Sequence, residues 1–508
     1  MVVKINHISS LAIESFSFCN FTRHKTAKME NILNYINGDF TKSRSGLSFD
    51  NVEPATGRVY SSIPNSQAED VELAVDAATK AFPNWSNLSI EERGNWLMKL
   101  SDGIARRMDE FVEAESRDNG KPIKLARQVD IPRAISNFKF FATGIQHYAS
   151  QSHEMVDVGI NYTLRRPIGV VGCISPWNLP LYLFSWKIAP ALAAGNCVIA
   201  KPSEITPYTA YLLCKVMDDI GFPKGVLNVV HGYGQYVGDA IVRHPKIKAI
   251  SFTGGTQTGK TISTIAAPMF KKLSLELGGK NPNLIFDDCD FDEMLRTTVR
   301  SSFANQGQIC LCGSRIFVQK GIYEKFKKAF VEKVKASKVS YPSDPEAHLG
   351  AIVSKSHMEK ILSYIELAKE EGGTIIAGGN QVKLAAPYDE GFYIEPTIIE
   401  GLSYDCRTNQ EEIFGPIVTL TPFETEEEVL MMANSVEYGL SATIWTNDLK
   451  RAHNLAHQIE AGIVWINAWL VRDLRTPFGG VKASGVGREG GWEALNFFTE
   501  PKNVFVKY

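Results

Sequence analysis

Short apolar runs alternate with amphipathic stretches through the middle of the chain, from position 168 to position 266. The runs predict strands at 168–174, 196–201, 226–230 and 247–253, and the stretches predict helices at 180–194, 206–220, 236–243 and 256–266. Strands that alternate with helices predict an α/β fold in which helices cover both faces of a parallel sheet. Ligands of such sheets bind at the carboxyl ends of the strands.

Similar patterns lie on both sides of this region. Apolar residues at helical spacing cover 67–82, a capping-box sequence at Ser89 opens a second helix, and a third helix covers 131–141. A second unit, 279–483, mixes strands with helices, and 498–508 reads as a terminal strand. An apolar strand at a chain end is a candidate for pairing with another copy of the chain.

Polar motifs follow three of the predicted strands. They are Ser175-Pro176-Trp177-Asn178, Lys201-Pro202-Ser203-Glu204 and Phe252-Thr253-Gly254-Gly255. We expect them to meet at one edge of the sheet, where ligands bind. The glycine-rich turn 254–259 joins a strand to a helix, so its N–H groups suit a pyrophosphate. Glycine spacing alone is weak support and also fits an ordinary turn.

A cysteine in a small, polar, glycine-containing stretch is the candidate nucleophile. Cys310 ends the sequence Phe303-Ala304-Asn305-Gln306-Gly307-Gln308-Ile309-Cys310. A thiol attacks as its thiolate, which favours a polar and partly accessible setting, and we expect the three nearby amides to supply that polarity. The alternative is a buried structural cysteine, which is the commoner use of a free cysteine.

A carboxylate in an apolar strand is the candidate base. Glu276 lies in Leu273-Ser274-Leu275-Glu276-Leu277 and is followed by two glycines. Burial among leucines raises the pKa of a carboxyl toward the range of a general base. The alternative is an ion-paired residue of the sheet.

Composition narrows the class of function. The 508 residues include 54 basic and 56 acidic side chains, which gives a net charge of -2 and argues against nucleic-acid or anionic-membrane partners. The eight cysteines, at 19, 173, 197, 214, 289, 310, 312 and 406, form no CxxC pair, which indicates a reducing compartment and no zinc site.

We interpret 1–28 as a disordered extension and expect a cytosolic location. The apolar stretch 181–200 is interrupted by Lys187 and Pro190, so we expect helix and strand there and no membrane span.

Taken together, these motifs resemble the aldehyde dehydrogenase superfamily in order and spacing, from about Asn31 to the C-terminus. The resemblance implies a Rossmann-like cofactor domain at 29–144 and 168–278, a catalytic domain at 279–483, and a β oligomerisation arm. The arm would consist of 145–167 and 484–508, and it implies a homodimer or homotetramer.

The resemblance also implies roles for particular residues. Cys310 would be the nucleophile, Glu276 the base, and Asn178 the oxyanion donor. NAD would be the cofactor, because Glu204 would repel the 2′-phosphate of NADP. The implied cofactor-binding residues are Ser175, Trp177, Lys201, Glu204, Gly254, Gly255, Gly259, Glu412 and Phe414. Gly255 stands where the family often has serine.

Two arginines point to the substrate. By the resemblance, Arg133 begins a helix that lines the substrate tunnel, Arg472 lies on the facing loop, and Trp186 also contributes. Two guanidinium groups in a tunnel suit an aldehyde that carries a carboxylate. Local similarity to the muconic semialdehyde branch of the family agrees with this. The alternative is that each arginine forms a surface pair, with Asp130 and Asp473 respectively.

Three competing functions stay open at this point. The first is a different aldehyde, such as retinal, 2-hydroxymuconic semialdehyde or a general aliphatic aldehyde. The second is a binding or structural protein that has the fold but no turnover. The third is a cysteine hydrolase without a cofactor, although no histidine partners Cys310 in a recognisable arrangement.

Overall fold

The computed structural model describes residues 31–508, so the predicted extension 1–28 lies outside the described residues. The strands are β1 Asn34–Ile36, β2 Asp39–Thr41, β3 Ser48–Glu53, β4 Arg58–Pro64, β5 Ser152–Met155, β6 Gly159–Pro167, β7 Val170–Ile174, β8 Cys197–Lys201, β9 Leu227–Val229, β10 Ile247–Thr253, β11 Lys272–Glu276, β12 Pro282–Ile285, β13 Arg315–Gln319, β14 Thr374–Ala377, β15 Gln381–Val382, β16 Tyr393–Ile394, β17 Thr397–Glu400, β18 Ile417–Phe423, β19 Tyr438–Gly439, β20 Ser441–Trp445, β21 Ile463–Ile466, β22 Val481–Lys482, β23 Gly485–Val486 and β24 Thr499–Lys507.

The α-helices connect and cover these strands. They are α1 Ala68–Ser86, α2 Ile90–Arg106, α3 Met108–Asn119, α4 Ile123–Leu125, α5 Ile131–Gly144, α6 Pro180–Ala193, α7 Tyr208–Asp219, α8 Asp239–Arg243, α9 Thr256–Ala266, α10 Phe291–Phe303, α11 Tyr323–Lys335, α12 Lys355–Glu370, α13 Arg407–Gln410, α14 Glu426–Asn434, α15 Leu449–Gln458 and α16 Gly491–Phe497. Among residues 31–508, none of these helices is long and apolar enough to cross a membrane.

The first large sheet has the strand order β2-β1-β9-β8-β7-β10-β11-β23. Its five central strands, β9, β8, β7, β10 and β11, are parallel, which confirms the predicted parallel sheet. All residues of β7 and β8 are buried because helices cover both faces, and this is why both strands read as unbroken apolar runs.

The predicted helices are confirmed, with one shift at a boundary. The capping box at Ser89 is present: its hydroxyl accepts the Glu92 N–H at 3.1 Å, and the Glu92 carboxylate accepts the Ser89 N–H at 2.8 Å. The helix predicted at 236–243 begins earlier, as a π-helical turn at Gly234–Gly238. A single turn of five residues is too short for apolar spacing to distinguish π-helical from α-helical hydrogen bonding.

The second large sheet has the order β14-β17-β18-β13-β12-β20-β21 and is parallel except for β14. A 3₁₀ turn, Ala304–Gly307, and the loop that carries Cys310 connect α10 to β13. Asn305 and Gln306 have left-handed φ angles of 51° and 58°, so the chain bends sharply just before Cys310.

A third, antiparallel sheet has the order β24-β6-β5. The C-terminal strand β24 pairs with β6 along its whole length, from Thr499 opposite Pro167 to Lys507 opposite Gly159, and β5 pairs with the other side of β6. β24 is an edge strand of this sheet, as the terminal apolar run predicted. The tip of the hairpin exposes Val156, whose side chain is 77% accessible.

Candidate active site

Cys310 lies between two cavities that open where loops of the two large sheets meet. The larger cavity, about 210 Å³, is lined by strand-end residues of the first sheet and by the segment 412–414. The smaller cavity, about 40 Å³, is lined by Glu276 and by largely apolar residues that include Leu179, Tyr182 and Phe478. Because Cys310 lines both, a group in either cavity reaches the thiol.

Cys310 is partly buried, and its surroundings favour the neutral thiol. Burial raises its pKa well above the usual range, and the nearby Glu412 and Glu276 carboxylates raise it further. A base must therefore remove the proton before the sulfur attacks a carbonyl carbon.

The three amides expected to surround Cys310 have a different role. Gln306 bonds to the backbone of Ala351 and Gly350, and Gln308 accepts the N–H of Val353 at 3.1 Å. The Asn305 amide donates to the Asn178 carbonyl at 3.0 Å. The expectation that they supply polarity around the thiol was wrong, because backbone groups of Asn178 and of the segment 350–353 take up these side chains.

The Asn178 side chain points toward the Cys310 loop. Its Nδ2 donates to the Gln308 carbonyl at 3.0 Å, and the Asn178 carbonyl accepts from Lys121 Nζ at 3.2 Å. An amide NH₂ has two hydrogens. One is used by Gln308, so the second can serve an oxyanion formed beside Cys310.

Glu276, at the end of β11, shares the smaller cavity with Cys310. The residue is 4% accessible, and neither carboxylate oxygen has a hydrogen-bond partner among residues 31–508. Burial raises the pKa of Glu276 well above its usual value, and the neighbouring Glu489 raises it further, against the opposing charges of Lys187 and Arg472. The sequence-based expectation of a raised pKa is confirmed.

Sequence reasoning missed the charged residues behind Glu276. Lys187 Nζ lies 2.7 Å from Glu489 Oε1, and the Ser251 hydroxyl donates to the same oxygen at 3.1 Å. The sequence offered one indication of Lys187, because it is a cation inside an otherwise apolar helix. Glu489 gave none, since 302 residues separate it from its partner.

The larger cavity gathers several of the motifs predicted to bind a cofactor. Gly254 and Gly255 line it, and a Cβ atom at Gly255 would have no neighbour within 4 Å, so the position has room for the serine common in the family. Gly259 lies against Leu277 instead, where a Cβ would come within 2.6 Å. It therefore permits close packing of α9 on the loop after β11.

Lys201 and Glu204 form an ion pair of 2.8 Å beside this region. Burial alone would raise the pKa of Glu204, but the Lys201 ammonium outweighs it and holds the pKa below the usual value. Glu204 therefore stays ionised and can accept from a hydroxyl. Ser175 is buried and donates its N–H to the Lys201 carbonyl at 3.1 Å, so the first two strand-end motifs are directly bonded.

The far wall of the larger cavity is the segment 412–414. Glu412 Oε1 accepts the N–H of Gly279 at 2.7 Å, and the ring of Phe414 meets that of Trp177 with centroids 5.2 Å apart. His357 Nε2 donates to the Phe414 carbonyl at 2.8 Å. His357 and Lys360 also line the cavity and were missed, because both lie on an ordinary amphipathic helix.

Arg133 and Arg472 converge at one side of the smaller cavity. Their guanidinium carbons lie 5.8 Å and 5.0 Å from the centroid of the Trp186 ring, and Arg472 donates to the Tyr182 hydroxyl at 3.1 Å. Within the described chain, Arg133 Nε and Nη2, Arg472 Nη2 and Trp186 Nε1 are buried without an acceptor. Buried donors of this kind suit an anion.

The alternative of two surface ion pairs is wrong. Asp130 pairs with Lys121 at 2.8 Å, and Asp473 pairs with Arg475. Arg127, like Arg475, is a surface charge, and it bonds to Asp109 at 2.7 Å. The local sequence suggested the wrong partners because proximity along the chain does not determine which side chains meet.

A fold of two α/β units that brings a cysteine, a buried carboxyl and an amide donor together at one site is typical of thiol-dependent dehydrogenases. The chain belongs to the aldehyde dehydrogenase family, whose model matches residues 40–504.

It is 52% identical to the 2-aminomuconic semialdehyde dehydrogenase of Danio rerio over 478 residues, which cover 94% of this chain and 98% of that protein. It is 46% identical to the 2-hydroxymuconic semialdehyde dehydrogenase of Pseudomonas sp. (strain CF600), over 94% of this chain and all of that protein. The NAD+ complex structure of an aldehyde dehydrogenase from Bacillus cereus superposes with a TM-score of 0.91 at 39% identity, covering 94% of this chain and 96% of that one.

Proposed function

We propose that this chain oxidises 2-aminomuconate 6-semialdehyde to 2-aminomuconate, with NAD as its cofactor. The observation that carries the choice of substrate is the pair of buried guanidinium groups, Arg133 and Arg472, beside the cavity that contains Cys310 and Glu276. The substrate has an aldehyde at one end and a carboxylate at the other, so it can meet the thiol and the arginines together.

The larger cavity suits NAD. Gly254 and Gly255, at the strand-to-helix turn, would hold the pyrophosphate, and the Lys201–Glu204 pair would hold the adenosine ribose. Glu412 would hold the nicotinamide ribose, with Phe414 and Trp177 beside the ring. When bound, NAD supplies the hydride acceptor for the oxidation.

The first chemical step uses the three polar groups around the thiol. Glu276 accepts the proton of Cys310, and the sulfur attacks the aldehyde carbon to form a thiohemiacetal. The free hydrogen of Asn178 Nδ2 and the backbone N–H of Cys310 stabilise the oxyanion.

The second step releases the acid. After oxidation the substrate is a thioester on Cys310, and Glu276 activates the water that hydrolyses it. The glycine at 479 leaves room for this carboxylate, because a Cβ atom there would come within 2.7 Å of Glu276 Oε1. Glu489 and Lys187 lie behind Glu276 and act on its pKa in opposite directions: Glu489 raises it and Lys187 lowers it.

The carboxylate of the substrate decides between the competing aldehydes. Retinal and simple aliphatic aldehydes would leave the guanidinium donors of Arg133 and Arg472 buried and unpaired, which is costly. Relatives named for 2-aminomuconic and 2-hydroxymuconic semialdehydes support a carboxylated substrate. The second candidate is therefore 2-hydroxymuconic semialdehyde, which carries the same carboxylate.

We extend the proposal to the setting of the enzyme. The reaction would belong to the kynurenine route of tryptophan breakdown, in the cytoplasm. The protein would be a homodimer or homotetramer assembled through 145–167 and 484–508. The cofactor domain would comprise 29–144 and 168–278, and the catalytic domain 279–483.

The test is NADH formation with enzymatically generated 2-aminomuconate 6-semialdehyde and with a neutral aldehyde of similar length. We expect the wild type to prefer the carboxylated aldehyde, and Arg472→Ala to lose that preference by about tenfold or more in kcat/KM. Arg475→Ala, which removes a surface arginine three positions away, is the matched control and should behave as wild type. Equal rates for both aldehydes, unchanged by Arg472→Ala, would instead indicate a general aldehyde dehydrogenase.

A further inference from the structure

A fully buried charge cluster lies directly behind Asn178 and has no part in the chemistry described above. The side chains of Lys121, Asp130 and Glu115 have no accessible surface. Lys121 Nζ lies 2.8 Å from Asp130 Oδ1 and 3.9 Å from Glu115 Oε1. Buried charges are costly to desolvate, and apolar side chains would fill the same volume at lower cost. The cost of burying these three charges therefore suggests that the cluster has a function besides filling the core.

Lys121 connects this cluster to the oxyanion side of the site. Its ammonium donates to the Asn178 carbonyl at 3.2 Å, and the Asn119 and Asn305 amides donate to the same oxygen at 3.4 Å and 3.0 Å. The Asn178 side chain is bonded to Gln308. Both the carbonyl and the side chain of Asn178 are therefore hydrogen-bonded, and the Lys121 ammonium is the charged donor among these contacts.

Asp130 connects the same cluster to the arginine side of the site. It ends the π-helical turn Ala126–Asp130, and α5 begins at the next residue. A π-turn holds an additional residue compared with an α-turn, which rotates the residues that follow. As a result, Asp130 faces Lys121, whereas Arg133, three residues later, faces the rings of Tyr182 and Trp186.

Resting on the proposed function, we propose that the Lys121–Asp130 ion pair is a positioning device that fixes the separation of Asn178 and Arg133. Asn178 acts at the aldehyde end of the substrate and Arg133 at its carboxylate end. A rigid link between them selects aldehydes whose carboxylate lies at one distance from the carbonyl carbon. Reactions that need both ends aligned lose rate steeply when either end is displaced by about 1 Å.

The experiment uses carboxylated aldehydes of increasing length, namely succinic, glutaric and adipic semialdehydes, with hexanal as the neutral comparison. The variants are Lys121→Met, which removes the ammonium, and Asp130→Asn, which keeps the size of the side chain. The control is Lys124→Met, because Lys124 is exposed, lies in the same stretch and donates to the Pro345 carbonyl at 3.3 Å, away from the buried cluster. NAD binding by calorimetry counts the folded sites, so that rates are expressed per site.

We expect the wild type to favour adipic over succinic semialdehyde in kcat/KM. Asp130→Asn should reduce that preference by about fivefold or more and change kcat on hexanal little, because it loosens the link to Arg133 alone. Lys121→Met should reduce the preference and also lower kcat on hexanal by about tenfold, since Asn178 loses a support. NAD affinity and the behaviour of Lys124→Met should match wild type.

Two results separate the possible failures. If Asp130→Asn keeps the full length preference per NAD-binding site, the ion pair only stabilises the fold and the inference is wrong. If the wild type makes no NADH from any of these aldehydes, or treats adipic semialdehyde and hexanal alike, the proposed function fails first. Should Lys121→Met not fold, the Asp130→Asn result alone decides.

Discussion

At the scale of single residues, the proposed mechanism depends on a thiol and a carboxyl whose pKa values are both raised. Burial raises the pKa of Cys310 and of Glu276, and each carboxylate near the thiol raises the pKa of Cys310 further. A carboxyl with a raised pKa is a stronger base in its ionised form. Ionised Glu276 can therefore accept the proton of the Cys310 thiol when the two groups are correctly placed.

The first prediction concerns Glu276→Gln. Without the base, the first NADH burst should be much slower than in wild type near neutral pH, and steady-state turnover should be lost. The burst rate should rise by about tenfold per pH unit on the alkaline side, because the fraction of thiolate rises in that proportion below the pKa of a thiol. Stopped-flow NADH absorbance across pH measures this.

Cys310→Ala is the control for that experiment and should give no burst at any pH. A burst in Glu276→Gln that is as fast as wild type and independent of pH would mean that another group deprotonates Cys310. Glu412 would then be the next residue to test, since it too lies near the thiol.

At the scale of elements, two loops from different parts of the second unit meet closely at the site. Gly307 ends the 3₁₀ turn before Cys310 with a φ of 70°, and a Cβ atom there would collide with the Gly415 carbonyl. Gly415 follows the segment 412–414 that borders the larger cavity. The spacing of the thiol and the cavity wall therefore depends on one glycine.

The second prediction compares two glycine variants. Gly307→Ala should cost about 1–2 kcal/mol in backbone strain, lower kcat and raise the KM for NAD, because the two loops must separate. Gly221→Ala has the same kind of strain, with a φ of 63°, but its Cβ would have no neighbour within 4 Å. It should lower the melting temperature without changing kcat or KM. Equal kinetics in both variants would contradict the role of the loop contact.

At the scale of the whole molecule, the third sheet exposes several apolar side chains at its hairpin tip and on its edge strand. Val156, Phe505 and Val506 are exposed there, and β24 presents an unpaired edge among residues 31–508. Exposed apolar edge strands are stable in solution chiefly when another chain covers them. This is the physical basis of the proposed oligomer.

The third prediction is that Phe505→Lys combined with Val506→Lys lowers the mass in solution, because two charges on this edge oppose its burial against a second copy. Light scattering coupled to size-exclusion chromatography measures the mass. Leu449→Lys, which adds a charge at an exposed apolar residue on α15, is the control and should keep the wild-type mass. An unchanged mass in the double variant would assign the oligomer contact to another surface.

The sequence by itself determined the elements and indicated the candidate reactive groups. The apolar runs at β7, β8 and β10 predict buried parallel strands because period and composition depend on neighbouring residues alone. Cys310 and Glu276 were found in the same way, from the character of a few residues around each. The family resemblance added their roles and the identity of Asn178.

Only the tertiary structure decided which side chains meet. The contacts of Glu489 with Lys187, and of both arginines with Trp186, join residues from distant parts of the chain. Asp130 bonds to Lys121 and not to Arg133, because a π-turn rotates it inward. Such pairings depend on the packing of whole elements, and no local pattern of the sequence carries that information.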